Sequence, residues 1–227
     1  LQKKTSITAS NIHVTDEAVV LQSPLSLRVL SSAVYNAGLG WYRTLINRCV
    51  SPFYESENVK ADFEQFIVQL GAVPTSSVGM MTALTMDHAV IRTFDNEAGK
   101  IIVVVTAGIG KAMDVSEAYK RTFHHAVGTI NTWVIINGEL TDEAFVQAMM
   151  TATEAKVKAL QIEEVYDQMS NTIATGTSTD SILIASTQHG QQHAYGGTAS
   201  VLGKWLGKAV FDTTVEAIQR YKQIKEM

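Results

Sequence analysis

The chain has 227 residues, a formal net charge of −4, 46% hydrophobic and 18% charged residues, and a mean hydropathy of +0.07. This balance excludes a disordered chain and a coiled coil, both of which carry far more charge. The acidic excess also argues against an electrostatic grip on nucleic acid, and no basic patch is visible in the sequence.

Leu1–Ser10 is polar, with Lys3 and Lys4 and no apolar stretch, so no signal peptide is read there. Ile12–Leu21 and Leu27–Val34 read as two strands with a break at Ser23 and Pro24. Cys49 is the lone cysteine. It can form neither an intramolecular disulfide nor a zinc site, and a reducing, cytoplasmic setting is expected. Asn58–Leu70 reads as a helix with Val59, Phe63, Phe66, Ile67 and Leu70 on one stripe and Gly71 just beyond its end. Val78–Ala83, Ala89–Phe94 and Ile101–Thr106 read as strands, the last two joined by a hairpin turn over 95–100. The longest aliphatic run, Ile101–Val105, falls far short of the ~20 residues a bilayer span requires, so no membrane partner is expected.

Thr132–Ile136 reads as another strand, ended by Asn137-Gly138. Thr141 caps a long helix near 141–160, with Asp142 and Glu143 where the dipole favours acids. Ser181–Ser186 is a strand, and Leu202, Trp205, Leu206, Ala209 and Val210 keep helical spacing toward the C-terminus. The alternation gives the class α/β: one domain over 1–227, a mixed sheet with flanking helices. A homo-oligomer is left open.

Small polar clusters follow several strands: Ser31-Ser32-Ala33 with Asn36, Gly38 and Gly40; Thr106-Ala107-Gly108; Gly128-Thr129-Ile130-Asn131; and the run from Ala174 to Asp180. In α/β folds such clusters tend to gather on one rim where ligands bind. Each is also an ordinary turn with helix caps, and four together balance the two readings. The long helix carries the sharpest anomaly. At 100° per residue, Met149, Ala152 and Ala159 stay within about 40° of Phe145, and Lys156 falls at about 20°, inside the apolar stripe. Such a lysine either snorkels or sits in a polar pocket, where it can carry a proton or face an oxyanion. Glu163 also projects onto the stripe, so the helix is expected to end or bend before it. Glu154 lies on the opposite side, at pairing distance from Lys158.

His189 and His193 have a ligand-like spacing, but the segment from Gln188 to His193 reads as a solvated loop without a matching carboxylate. His124 and His125, if helical, cannot face one ligand. No nucleophile elbow, Walker lysine loop or H-E-x-x-H is present, and no metal site is read.

Several runs follow one another in a set order: Val29–Val34 with Asn36, Gly38, Leu39 and Gly40; Val78–Ala83; Val105–Gly108; and Gly128–Asn131. T-A-T-E-A-K from Thr151, A-T-G-T-S-T-D from Ala174, and Tyr195-Gly196-Gly197-Thr198 with Gly203 complete the pattern over about 27–207. Together these runs resemble one family, the adenosylcobinamide amidohydrolases. Lys111-Ala112 stands where the family carries an Asn-Ala pair. The resemblance implies hydrolysis of the amide between the corrin ring and its aminopropanol arm, with a small-molecule corrinoid as substrate and no separate cofactor. Cobalt then enters only within the substrate. It implies substrate contacts from Ser31, Ser32, Asn36, Asn47, Thr82, Thr106, Thr129, Asn131 and Tyr195. Two catalytic routes stay open. In the first, Asp180 or Glu154 activates water while Lys156 stabilises the oxyanion or protonates the amine. In the second, Thr177 attacks with Lys156 as its base. The water route is favoured, because Asp180 beside a glycine-rich turn is easily positioned. A corrinoid-binding carrier or sensor without turnover, or a hydrolase for another amide, are the competing readings.

Overall fold

The computed structural model describes residues 6–122 and 128–225. The chain opens with a short hairpin, β1 (Ile12–Val14) against β2 (Ala18–Ser31), which continues antiparallel into β3 (Gly38–Cys49). Helix α1 (Val59–Gln69) leads to β4 (Ser77–Thr82), and β5 (Val90–Asn96) and β6 (Gly99–Ala107) form the expected hairpin. After β7 (Ala112–Met113) come β8 (Ile130–Asn137), β9 (Glu139–Leu140) and the long helix α2 (Asp142–Ile162). Short strands β10 (Tyr166–Asp167), β11 (Thr172–Ile173) and β12 (Gly176–Thr177) precede β13 (Ser181–Ser186). Strand β14 (Gln192–His193) and helix α3 (Val201–Lys225) complete the chain.

The main sheet has the order β4-β3-β2-β13-β8-β6-β5, with β1 added beside β2. It is mixed, as expected: β13 is parallel to β8 and β4 to β3, while the remaining pairs are antiparallel. Helix α2 is the crossover between the parallel strands β8 and β13. Asn58 caps α1 by accepting from Ala61 N, and Thr141 caps α2 by accepting from Ala144 N, as their side chains favour. Helix α2 ends at its C-cap Glu163, before a carboxylate would enter the apolar stripe.

Two strand readings need correction. The break at Ser23-Pro24 interrupts the pairing but does not end the strand, because β2 runs through it. The β2–β3 register shifts between Gln22 and Leu27, and that irregularity accommodates a proline without an N–H. Conversely, Ile12–Leu21 is a hairpin and not one strand, closed where Thr15 N donates to Ala18 O. Strand β3 had no counterpart in the sequence reading, since its glycines and polar residues hide the alternation.

The side chains sort into layers. Val103, Val105, Val134, Ile136, Ile182 and Ile184 face α2 and α3, burying Phe145, Ala152, Leu206 and Val210. Their neighbours Ile102, Val104, Trp133, Ile135, Leu183 and Ala185 point the other way, onto Val19, Leu21, Leu45, Val78 and Met80. Beyond these, Ala18, Val20 and Ile46 pack against Phe63, Phe66 and Ile67 of α1. The sheet is therefore folded over on itself at the irregular β2–β3 ribbon, with helices outside both halves. Period-2 alternation places the central strands β6, β8 and β13 between two apolar faces. Trp205, placed on the buried stripe by spacing, is instead 37% exposed and donates its indole N–H to Glu97.

Candidate active site

A cleft of ≈ 810 Å³ opens at one end of the folded sheet. One wall is the segment around Gly128–Thr129 and Thr175–Thr179. The facing wall is Met81–Ala83 at the end of β4 together with Val50–Pro52 and Tyr54, and Met113, Val115 and Ala118 close the side. Of the four polar clusters, those around Thr129 and Thr177 line this cleft. The Thr106–Gly108 cluster lies directly beneath, with Gly108 N donating to Thr129 O. The Ser31–Gly40 cluster does not line it.

Behind the first wall lies a buried ion pair. Lys156 Nζ reaches across from α2 to Asp180 Oδ2, and the two side chains are 8% and 11% exposed. The apolar stripe of α2 thus carries its lysine into a polar pocket, one of the two outcomes the spacing allowed. Asp180 is held from four directions. Its Oδ1 accepts from Ile130 N at 2.9 Å and from the Thr177 hydroxyl at 2.6 Å. Its Oδ2 accepts from Thr177 N at 3.1 Å and from Lys156. Gly176 makes this possible, because a Cβ there would stand 2.7 Å from Lys156 Nζ and still closer to Asp180 Oδ2.

A second polar chain runs under the opposite wall. Asn47 Nδ2 donates to Thr106 Oγ1 at 2.9 Å, and Asn131 Nδ2 donates to Asn47 Oδ1 at 2.7 Å and to Met81 O at 2.8 Å. These three side chains come from β3, β6 and β8, so the fold of the sheet brings its two halves into polar contact here. Asn131 Oδ1 is buried without a partner among the described residues.

The remaining expected contacts are placed as follows. Thr82 and Thr129 line the cleft. Ser32 Oγ sits 3.1 Å from Ser181 Oγ and accepts from Ile182 N, next to Asp180 but outside the lining. Ser31 Oγ caps Ala33 N, and Asn36 Nδ2 donates to Pro74 O and Ser77 O, so both fasten the β2–β3 connection. Glu154 is on the exposed side of α2, and Lys158 bonds Gln161 instead of it. Tyr195 is 63% exposed and precedes Gly196, whose N–H donates to Gln147 near the start of α2. Neither Glu154 nor Tyr195 reaches the cleft. The segment from Gln188 to His193 is only partly solvated: His189 is exposed, but His193 is buried. Burial pushes its imidazole below the usual histidine range. His124 and His125 lie outside the described residues. Among the described residues no group of three or more His, Cys, Asp or Glu side chains could hold a metal ion.

Sequence reasoning missed the Val50–Tyr54 lip and the 3-10 turn Val115–Lys120. The latter is latched by Asp167, 1% exposed, which binds Arg121 and accepts from Asp114 N and Met169 N. Burial alone would raise this carboxyl. The donors of Asp114, Arg121, Met169 and Ser170 overcome it and hold it at about 2. No motif marked this pair, and the 46 residues between Arg121 and Asp167 conceal it.

A cleft walled by threonines, one of them hydrogen-bonded to a carboxylate, suits hydrolytic chemistry. The family model for adenosylcobinamide amidohydrolase (CbiZ) matches residues 3–226. The chain belongs to that family. It is 23% identical to the adenosylcobinamide amidohydrolase of Methanosarcina mazei, over 87% of this chain and 92% of the relative. It is 25% identical to the uncharacterized protein MJ1613 of Methanocaldococcus jannaschii, over 77% of this chain and 75% of that one. The crystal structure of the PH0078 protein from Pyrococcus horikoshii aligns with a TM-score of 0.43 and 9% identity, over 95% of this chain and 80% of that one.

Proposed function

We propose that the protein hydrolyses the amide of adenosylcobinamide, releasing adenosylcobyric acid and 1-amino-2-propanol. The observation that carries the reading is Thr177, which lines the cleft and whose hydroxyl donates to the carboxylate of Asp180 behind it. Amide hydrolysis needs an oxygen nucleophile with a proton acceptor at hydrogen-bond distance, and this pair supplies both. The mouth of the cleft fits a large, flat, partly apolar ligand. Val115 on its side wall, with Phe53 and Tyr119 in the flanking segments, is 71%, 90% and 81% exposed respectively, an unusual concentration of bare apolar surface. The amide-bearing rim of a corrinoid meets hydroxyls and backbone groups deeper in, while its ring lies over the apolar lips. Membership in the family and the likeness to the adenosylcobinamide amidohydrolase of Methanosarcina mazei support the same substrate.

The test is incubation of the purified protein with adenosylcobinamide and mass spectrometry of the corrinoid. A product with the mass of adenosylcobyric acid is expected. Bound but unchanged corrinoid would instead mean a carrier or sensor, and no binding would mean another amide.

A further inference from the structure

We propose that Thr177 is the nucleophile, that Asp180 is its proton acceptor, and that the reaction passes through an ester on Thr177. The inference rests on the amidohydrolase reading and adds how the bond is broken.

Elimination leads to Thr177. Of the Ser and Thr hydroxyls around the cleft, those of Thr129, Thr175 and Thr179 donate to backbone carbonyls. Those of Ser51 and Thr82 accept from the backbone N–H groups of Phe53 and Leu84, and exposed Ser178 bonds no carboxylate among the described residues that could act as its base. Thr177 donates to a carboxylate, at 2.6 Å, the length of a charge-assisted bond. Asp180 is in turn fixed by Ile130 N and Lys156. A nucleophile hydrogen-bonded to a base that a third group orients is the general arrangement for covalent catalysis.

The same geometry disfavours a water held by Asp180. A carboxylate offers about four acceptor positions, and Ile130 N, Thr177 N, the Thr177 hydroxyl and Lys156 fill them. Water would have to displace one of these, and three of the four are backbone amides or the buried ammonium. Of the residues that supply these donors, only Thr177 lines the cleft. Lys156 is not in contact with that hydroxyl by any bond and acts through Asp180, as a positioning residue.

In the first half-reaction Thr177 Oγ1 bonds the amide carbon and its proton passes to Asp180 Oδ1. The C–N bond then breaks, and the proton goes to the departing amine. In the second, water bonds the ester carbon and gives a proton to Asp180. The C–Oγ1 bond breaks and that proton returns to Thr177, leaving the acid. One water is consumed, and no oxidant or reductant is needed.

Two measurements test this together. The first follows adenosylcobinamide turnover by wild type, Thr177→Ser and Thr177→Val, with hydroxylamine added to intercept the ester as a hydroxamate. Wild type is expected to form the hydroxamate, Thr177→Ser to stay within about tenfold, and Thr177→Val to lose at least about a thousandfold while still binding corrinoid. The second treats the free protein with a β-lactone probe and maps the acylated residue. Label at Thr177, absent in Asp180→Asn, is expected. Turnover by Thr177→Val near the wild-type rate, or turnover with neither hydroxamate nor label, would overturn the nucleophile assignment while keeping the substrate. Label at Thr177 without turnover would keep the nucleophile and discard the substrate. Neither turnover nor label overturns both.

Discussion

Lys156 on α2 and Asp180 before β13, 24 residues apart, form an ion pair whose side chains are 8% and 11% exposed. Charges so far out of water are tolerated only when paired and fully hydrogen-bonded, and Asp180 meets that condition with three further donors. The pair therefore fastens the crossover helix to the 176–180 turn, and that turn presents Thr177 to the cleft.

Lys156→Met is accordingly expected to destabilise the protein before it says anything about chemistry. It leaves a buried carboxylate without its counter-charge, which costs about 3 kcal/mol and lowers Tm by about 6–12 °C. Adding Asp180→Asn to Lys156→Met removes the stranded charge and is expected to recover part of the loss. Thermal melts of the two single variants and the double variant give the coupling directly. Additive losses would mean that the two groups do not stabilise one another.

Gly176 carries the next expectation. A methyl group there meets Lys156 Nζ at 2.7 Å and Asp180 Oδ2 more closely, with both partners buried and unable to retreat. Gly176→Ala is expected to cost about 2 kcal/mol or more and to reduce turnover by displacing Asp180. Gly197→Ala is the control, since its Cβ meets nothing nearer than Gln147 Oε1 at 3.7 Å. Equal stability of the two variants in urea would contradict the tight approach.

How far the sequence reveals this arrangement depends on the range of each interaction. Lys156 is legible because a helical period makes a charge in an apolar stripe conspicuous. Asp180 and Thr177 are legible through their motif. The contact of Lys156 with Asp180 is not, because the end of α2 and the short strands β10–β12 intervene and no local spacing encodes it. The same reason hides Asn47 against Thr106 and Asn131, 59 and 84 residues away. That contact exists only because the β2–β3 ribbon bends the sheet onto itself. Tyr195 is the opposite case, exposed and outside the cleft lining. Its motif is local, and the glycines beside it serve packing: Gly203 has no room for a Cβ against the Gly196 and Gly197 backbone.

Asp167 makes a pH prediction with a definite sign. Its folded pKa lies at about 2, below the ordinary 3.8. A depressed carboxyl contributes stability that is complete above the unfolded value and lost as pH falls through the folded one. The Tm gap between wild type and Asp167→Asn is therefore expected to be largest above pH 4 and to narrow toward pH 2. Melting curves of both proteins over that range check it. A gap that stays constant would mean that Arg121 and the Asp114 and Met169 amides do not favour the ionised form. Because this latch holds the Val115–Lys120 turn, Asp167→Asn is also expected to weaken corrinoid binding at neutral pH.

The amide chain beneath the opposite wall yields the last expectation. Asn131 uses both hydrogens of its Nδ2, one on Asn47 Oδ1 and one on the carbonyl of Met81, which lines the cleft. Asn131→Ala leaves the buried Asn47 Oδ1 and the part-buried Met81 O unpaired, at about 1–3 kcal/mol for the first and less for the second. A loss of about 2–4 kcal/mol is expected, with a larger effect on KM than on kcat, because the Met81 wall is freed while Thr177 and Asp180 keep their own contacts. Asn47→Ala breaks the bond to Thr106 but leaves the Asn131–Met81 link whole, so its stability loss is accompanied by a smaller change in KM. Chemical denaturation together with steady-state kinetics of both variants separates the effects. Equal KM values for the two would show that Met81 does not shape the cleft through Asn131.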